Sequence, residues 1–289
     1  MKKVYKINSI KPQGSKFTEV LSDIALMPEK LYFLGKMPEN RSKSVAIVGS
    51  RKPTKYGQEV AHNIAFELAK RGIVIISGLA LGIDAIAHRG ALDAKGLTIA
   101  VLASGVDDIT PHSNYTLAQE ILNSGGAIIS EYEPGTPAYA NQFLERNRIV
   151  SGLADAVIVV EAATRSGTLS TAAHALGQGK YVFAVPGNIT SPMSAGCNKL
   201  IKQGAIPLTE VDDVLAAIAP DKLTQTSLDV MGDNDIENKI IKLIKNGERD
   251  GETIMQLIGL DASEFNQIVT LMELKGQIRS LGANQWVLK

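Results

Sequence analysis

The chain has a single cysteine, Cys197, so no intramolecular disulfide can brace it, which suits a reducing compartment. Aromatic residues are scarce, 5% of 289 positions with one tryptophan. No apolar run reaches the roughly 18 residues that a membrane-spanning helix needs, so no membrane partner is expected. Lys2, Lys3 and Lys6 open the chain with no apolar stretch behind them; no signal peptide is expected, and a cytoplasmic location is. Net charge is missing too, with 30 basic residues against 30 acidic. A protein that coats duplex DNA is usually more basic. The balance leaves room for a local phosphate site and excludes a globally basic surface. Repeats and low-complexity tracts are absent.

The charge that exists is uneven. Residues 1–44 carry nine basic and four acidic side chains, a net of +5. Residues 45–219 have a net of −2, and residues 220–289 a net of −3. Hydrophobic residues make up 45% and charged residues 21%, enough apolar material for a sizeable core.

Apolar, β-branched runs stand at residues 45–48, 73–76, 98–102 and 157–160, with shorter companions at 127–129 and 181–185. Helix-like stretches lie between them at 58–70, 83–95, 115–123 and 169–177. In the first, Val60, Ile64 and Leu68 with Ala61, Ala65 and Ala69 form an apolar stripe at helical spacing. Fully apolar strands alternating with helices imply a parallel sheet covered on both faces. The expected fold is α/β, a doubly wound, mostly parallel Rossmann-like sheet over residues 45–219. Residues 1–44 read as a short N-terminal lead-in with weak helical character around 18–26. Residues 220–235 are polar and read as a linker. After it, helices at 236–246, 253–258 and 263–275 and strands at 277–281 and 285–288 around Gly282 predict a winged-helix domain, 236–289.

In an open parallel sheet, ligands bind beyond the carboxyl ends of the strands. Small residues follow four strands there: Gly49-Ser50-Arg51-Lys52, Ser77-Gly78, Ser166-Gly167-Thr168 and Pro186-Gly187. Glycine lets an anion approach backbone amides, and a helix N-terminus points N–H groups at it. Arg51 adds a fork that matches phosphate. Such loops need Gly and Ser simply to turn, but four on one edge beside an arginine favour an anion site. The pattern G-x-G-x-x-G is missing, no acidic residue ends the second strand, and no Walker lysine motif is present, which disfavours NAD and P-loop chemistry. A second basic group is Arg146-Asn147-Arg148 after Phe143. Read as more than a solvated helix start, it offers arginines for phosphates and an aromatic, Phe143 or Tyr139, for stacking a base. Lys180 and Lys199 are candidates to extend this rim.

Nothing demands catalysis. His62, His88, His112 and His174 have no partner at metal-ligand spacing, so neither metal nor cofactor is expected. Cys197 starts a predicted helix, which could lower its pKa, but a small packed residue is the expected role. Asp84, Glu131, Glu133 and Glu161 are acidic candidates without paired-carboxylate spacing.

Taken in order, the motifs resemble the DNA-processing protein A (DprA/Smf) family. They are Gly49-Ser50-Arg51, the block from Ser77 to Asp84 with Ala87-His88, Arg146-Asn147-Arg148-Ile149, and Val160-Glu161-Ala162. Ser166-Gly167-Thr168 and Val185-Pro186-Gly187 with Gly196-Cys197-Asn198 complete the set. The resemblance runs from about residue 15 to 289. It implies a non-enzymatic homodimer that binds single-stranded DNA and loads the recombinase RecA onto it in natural transformation, displacing single-strand-binding protein. It further implies that Arg51 is a central phosphate contact and that Arg146 and Arg148 belong to a basic wall. Two departures stand out. Residues 1–44 are too short for the helical domain that begins many members. The third helix of the winged helix holds Glu264, Glu273 and one basic residue, Lys275, where a duplex-reading helix would offer several; a protein-interaction or regulatory module is expected. The alternative is an enzyme of the lysine-decarboxylase-like Rossmann class that binds or cleaves nucleoside monophosphates, with Glu161 or Asp84 assisting. A transcription factor led by the winged helix leaves the large sheet unexplained.

Overall fold

The structure, a computed structural model, describes residues 5–223, 232–282 and 284–288. Its contacts divide the chain into two units, Met1–Ala219 and Pro220–Lys289.

The first unit opens with β1 (Asn8–Ile10), short 3-10 turns at Pro12–Gly14 and Glu19–Asp23, and β2 (Leu31–Gly35). Strands and helices then alternate: β3 (Ser44–Val48), α1 (Lys55–Lys70), β4 (Val74–Ser77), α2 (Ile83–Asp93), β5 (Thr98–Val101), α3 (Tyr115–Asn123), β6 (Ala127–Ser130) and α4 (Ala140–Leu153). They continue with β7 (Ala156–Val159), α5 (Thr168–Gly177), β8 (Tyr181–Ala184), α6 (Ala195–Lys202), β9 (Ile206–Pro207) and α7 (Val211–Ile218). Among the described residues these strands form one sheet in the order β1-β2-β6-β5-β4-β3-β7-β8-β9. From β6 to β9 all pairings are parallel; β2 joins β6, and β1 joins β2, antiparallel.

Alternation along each strand divides the core. Ala46, Val48, Ile76, Val101 and Val157 pack with Phe17, Leu21 and the α4 residues Ile149, Val150 and Leu153. Ala100, Leu102 and Ile128 pack on the other face with Leu117 and Ile121 of α3. Both faces are dry, which is why the strands read as unbroken apolar runs.

From β3 the chain winds through α1 to β4 on one side. On the other side lies β7, reached only after α4 crosses back. The ends of β3 and β7 therefore form the switch point of the doubly wound sheet, where a crevice opens.

Residues 5–44 are not a separate lead-in. Tyr32 to Gly35 pair with Ser130 to Ala127, so β2 continues the sheet. Phe17, Leu21 and Leu31 are fully buried. The strands α/β periodicity left out are these short edge strands and β9; α4 and α7 are likewise absent from the predicted helices.

The second unit holds α8 (Asp235–Lys245), α9 (Gly251–Ile258), α10 (Ala262–Leu274), β10 (Ile278–Gly282) and β11 (Gln285–Leu288). The two strands pair antiparallel, giving the element order expected of a winged helix. Asn234, Asp250 and Asp261 cap the three helices, each accepting an N–H from the first turn. Ile240, Ile254, Phe265, Met272 and Ile278 form its core. Of the expected linker, residues 224–231 lie outside the described residues; Pro220–Lys222 is a 3-10 turn, and Asp235 already belongs to α8. Among the described residues no helix is long and apolar enough to cross a membrane.

If the N-terminal segment is part of the first unit's core, Leu31→Ala costs about 2–5 kcal/mol of stability through lost burial and a cavity. Urea unfolding followed by far-ultraviolet circular dichroism should show a lower midpoint. An unchanged midpoint would put the segment outside the cooperative core.

Candidate functional site

A cleft of about 440 Å³ opens at the switch point. Gly49, Ser50 and Arg51 line it from the exit of β3, and Arg165, Ser166, Gly167 and Thr168 from the approach to α5. Phe143, Arg146 and Asn147 of α4 face it, and Asp84 of α2 lies at its base.

The β3 exit is held in place by its neighbours. Ser50 Oγ accepts the Lys52 N–H at 3.0 Å, and the Ser50 carbonyl accepts the Ile83 N–H at 3.1 Å. Gly82, at φ +78°, allows this approach: a Cβ there would lie 2.3 Å from the Ser50 carbonyl oxygen. Thr54 caps α1, and its N–H and hydroxyl donate to Glu161 at 2.9 and 2.6 Å. Glu161, at the exit of β7, thus ties the start of α1 across the switch point.

The α5 end is shaped in the same way. Gly167 stands at its N-cap; the Thr168 N–H donates to Ser166 Oγ at 3.2 Å, and the Leu169 and Ser170 N–H groups donate to the Ser166 and Gly167 carbonyls, each at 3.1 Å. The Thr168 hydroxyl donates to the Gly49 carbonyl at 2.9 Å, and Asn147 Nδ2 donates to Ser170 Oγ at 2.8 Å. The positive end of the α5 dipole is thereby fixed at the cleft.

Two arginines behave oppositely. Arg51 is exposed; its guanidinium carbon lies 5.2 Å from the Phe143 ring centroid. Among the described residues it has no carboxylate partner. Arg146 is 4% exposed. Its Nη1 donates to the Gly78 carbonyl at 2.7 Å and to the Val101 carbonyl. The guanidinium lies so close to Gly78 that a Cβ there would meet it at 2.3 Å. Asp84 accepts the Gly78 N–H at 3.1 Å, and burial pushes its carboxyl above the ordinary range against the opposing charge of Arg146.

His88 is buried beneath this loop, and its Nδ1 lies 2.7 Å from Thr98 Oγ1. The Thr98 hydroxyl donates to the Ile75 carbonyl, so His88 Nδ1 carries the proton and Nε2, without a partner, is bare. Burial first, and the Arg146 charge second, lower its pKa to about 3.

The family model for DNA recombination-mediator protein A matches residues 8–219. The chain belongs to that family. Protein Smf of Escherichia coli (strain K12) is 47% identical to this family member over 188 residues, which are 65% of this chain and 50% of the relative. DNA processing protein DprA of Bacillus subtilis (strain 168) is 40% identical over 209 residues, 72% of this chain and 70% of the relative. The X-ray structure of DprA from Streptococcus pneumoniae matches with a TM-score of 0.68 and 38% identity, over 74% of this chain and 75% of that one. DNA processing protein A of Helicobacter pylori, solved for its single-stranded DNA binding mode, matches with a TM-score of 0.66 and 32% identity, over 78% of this chain and 99% of that one. The chain spans about half the length of the first curated relatives it matches, 50% and 49%. The family match stops at the end of the first unit, short of the second.

Within this DprA family member, nine residues expected at the site line one cleft: Gly49, Ser50, Arg51, Phe143, Arg146, Asn147, Ser166, Gly167 and Thr168. Lys52 is exposed just beyond it. Ser77 and Gly78 lie behind the wall; the Ser77 hydroxyl donates to the Ile47 carbonyl at 2.6 Å. Arg146 and Arg148 do not form one wall. They are two apart on a helix, about 200° around its axis, so one turns inward and the other away. Arg148 pairs with Glu131 at 2.5 Å instead. Lys180 belongs to the opposite edge of the sheet: it precedes β8, and the charges that act on it are Asp155, Arg41 and Asp23. Lys199 is exposed on α6 and outside the cleft lining.

Arg165 was not expected. It lines the cleft, is exposed and has no carboxylate partner among the described residues. Its signal was its place one residue before Ser166-Gly167-Thr168. Glu161 accepts the Thr54 N–H and hydroxyl, and Asp84 accepts the Gly78 N–H. Cys197 is packed, and burial pushes its thiol up to about 12 rather than down.

His88 generates a pH prediction. The unfolded chain takes up a proton near its ordinary 6.5, whereas the fold resists until about 3. Its contribution is present above 6.5 and is lost as pH falls toward 3. Urea unfolding at stepped pH should therefore show a steeper acid loss of stability in the wild type than in His88→Gln. Equal slopes would contradict the buried neutral imidazole.

Proposed function

We propose that the cleft holds the phosphate backbone of single-stranded DNA and that the protein acts as a recombination mediator. In this reading it works as a homodimer that loads RecA onto the strand during natural transformation, displacing single-strand-binding protein. It has no catalytic centre and works in the cytoplasm. The observation that carries the DNA reading is Arg51: an exposed guanidinium, unpaired with any carboxylate among the described residues and stacked on Phe143 at a helix N-terminus. A guanidinium and an aromatic face are what a single strand offers partners to, because its phosphates and its unstacked bases are both accessible. The chain's zero net charge favours such a local site over duplex coating. The family's description as a recombination mediator and the single-stranded DNA binding of the Helicobacter pylori protein support the same reading. RecA, single-strand-binding protein and the dimer rest on the family resemblance. We assign the winged-helix unit to protein contacts, because α10 exposes Leu271 and Leu274 and carries Glu264 in its first turn.

Fluorescence anisotropy with single- and double-stranded oligonucleotides of equal length tests this. The wild type should prefer the single strand. Arg51→Ala should weaken oligo-dT binding about tenfold or more, the worth of a charge-assisted phosphate contact. It should also lower the salt slope by about 0.7 for each phosphate that is no longer neutralised. Unchanged affinity and slope would overturn the assignment.

A further inference from the structure

The charge of the cleft exceeds what the interior of a DNA strand supplies at one position. Its ionisable lining residues are Arg51, Arg146, Arg165 and Asp84, a net of +2. A phosphodiester inside a strand carries a single negative charge. A terminal phosphate monoester carries close to two above its second pKa of about 6, with three acceptor oxygens.

The three arginines are placed to act on such a group. Arg51 and Arg165 are exposed on opposite lips, beyond β3 and before α5. Arg146 lies in the floor, 4% exposed, with its Nε lacking any hydrogen-bond partner. Asp84 in the same lining offsets that buried charge, so the surplus of positive charge rests on the two exposed lips. At about 440 Å³ the cleft falls among small-ligand pockets, which run from about 300 to 1,000 Å³.

We propose that this cleft seats a phosphate monoester dianion, the terminal phosphate of a DNA strand or of a free nucleotide, in preference to an internal phosphodiester. The proposal rests on the reading that the cleft binds single-stranded DNA. Arg51 and Arg165 grip the dianion's oxygens from the two lips, above the Arg146 and Asp84 pair in the floor.

The test is competition against a labelled, hydroxyl-ended oligo-dT at fixed ionic strength. Unlabelled competitors of equal length carry hydroxyl ends, a 5′-phosphate or a 3′-phosphate, and thymidine monophosphate is set beside thymidine. A phosphorylated end should compete about tenfold better than the hydroxyl-ended strand, one further charge-assisted contact. The advantage should vanish in Arg165→Gln. It should shrink as pH drops below about 6, where the monoester takes up a proton. Protonation of Asp84, the only acidic group in the lining, would raise the cleft's positive charge and cannot produce that loss. An advantage for phosphorylated strands without displacement by the monophosphate assigns the site to DNA ends. Displacement by the monophosphate and not by thymidine, with equal strands, assigns it to free nucleotides. Equal competition throughout sinks the proposal. If Arg51→Ala then still weakens every strand alike, single-strand binding survives through internal phosphates; if it weakens none, both readings fail.

Discussion

Arg146 directs its donors at the protein itself, joining the carbonyls of Gly78 and Val101 at the ends of neighbouring strands β4 and β5. Asp84 takes the Gly78 N–H from the other side. A buried guanidinium is costly to desolvate and is retained only where hydrogen bonds and an opposite charge offset that cost. Here it fixes the loop after β4. That loop carries Gly82, whose missing Cβ admits the Ser50 carbonyl and so sets the turn bearing Arg51. The inner arginine builds the frame from which the outer one reaches solvent.

The same division runs through the acids. Glu161 and Asp84 satisfy backbone N–H groups, Glu161 at the start of α1 and Asp84 at the base of the cleft. Because these carboxylates bond to backbone and neither pairs with Arg51 or Arg165, those two arginines keep their charge for an outside anion. A chain of zero net charge can therefore hold a concentrated positive site.

The central strands were legible because each is buried on both faces and therefore apolar throughout. The edge strands were not. β1 is Asn8-Ser9-Ile10, and β2 buries only Leu31 and Leu34, so neither stands out from a polar lead-in. α4 was hidden for a different reason. Its first nine residues include Gln142, Glu145, Arg146, Asn147 and Arg148, polar residues that serve the cleft or pair locally and interrupt the apolar stripe. Reading only a helix start there, without the helix's extent and phase, put Arg148 on the same wall as Arg146. With the helix known, Phe143, Arg146 and Asn147 at i, i+3 and i+4 share a face, and Arg148 does not. Lys180 was misplaced because a lysine before a strand lies at the opposite edge from residues after one. The glycine and hydroxyl residues at strand ends were legible because backbone geometry at a switch point leaves little choice.

The most direct test of the central claim is arginine footprinting on the intact protein. The chain is treated with a guanidinium-selective reagent with and without single-stranded oligo-dT, and modification is read by mass spectrometry. The account predicts that DNA protects Arg51 and Arg165, while Arg148, paired with Glu131, is unaffected. Protection of Arg148 with Arg51 and Arg165 still fully reactive would contradict it.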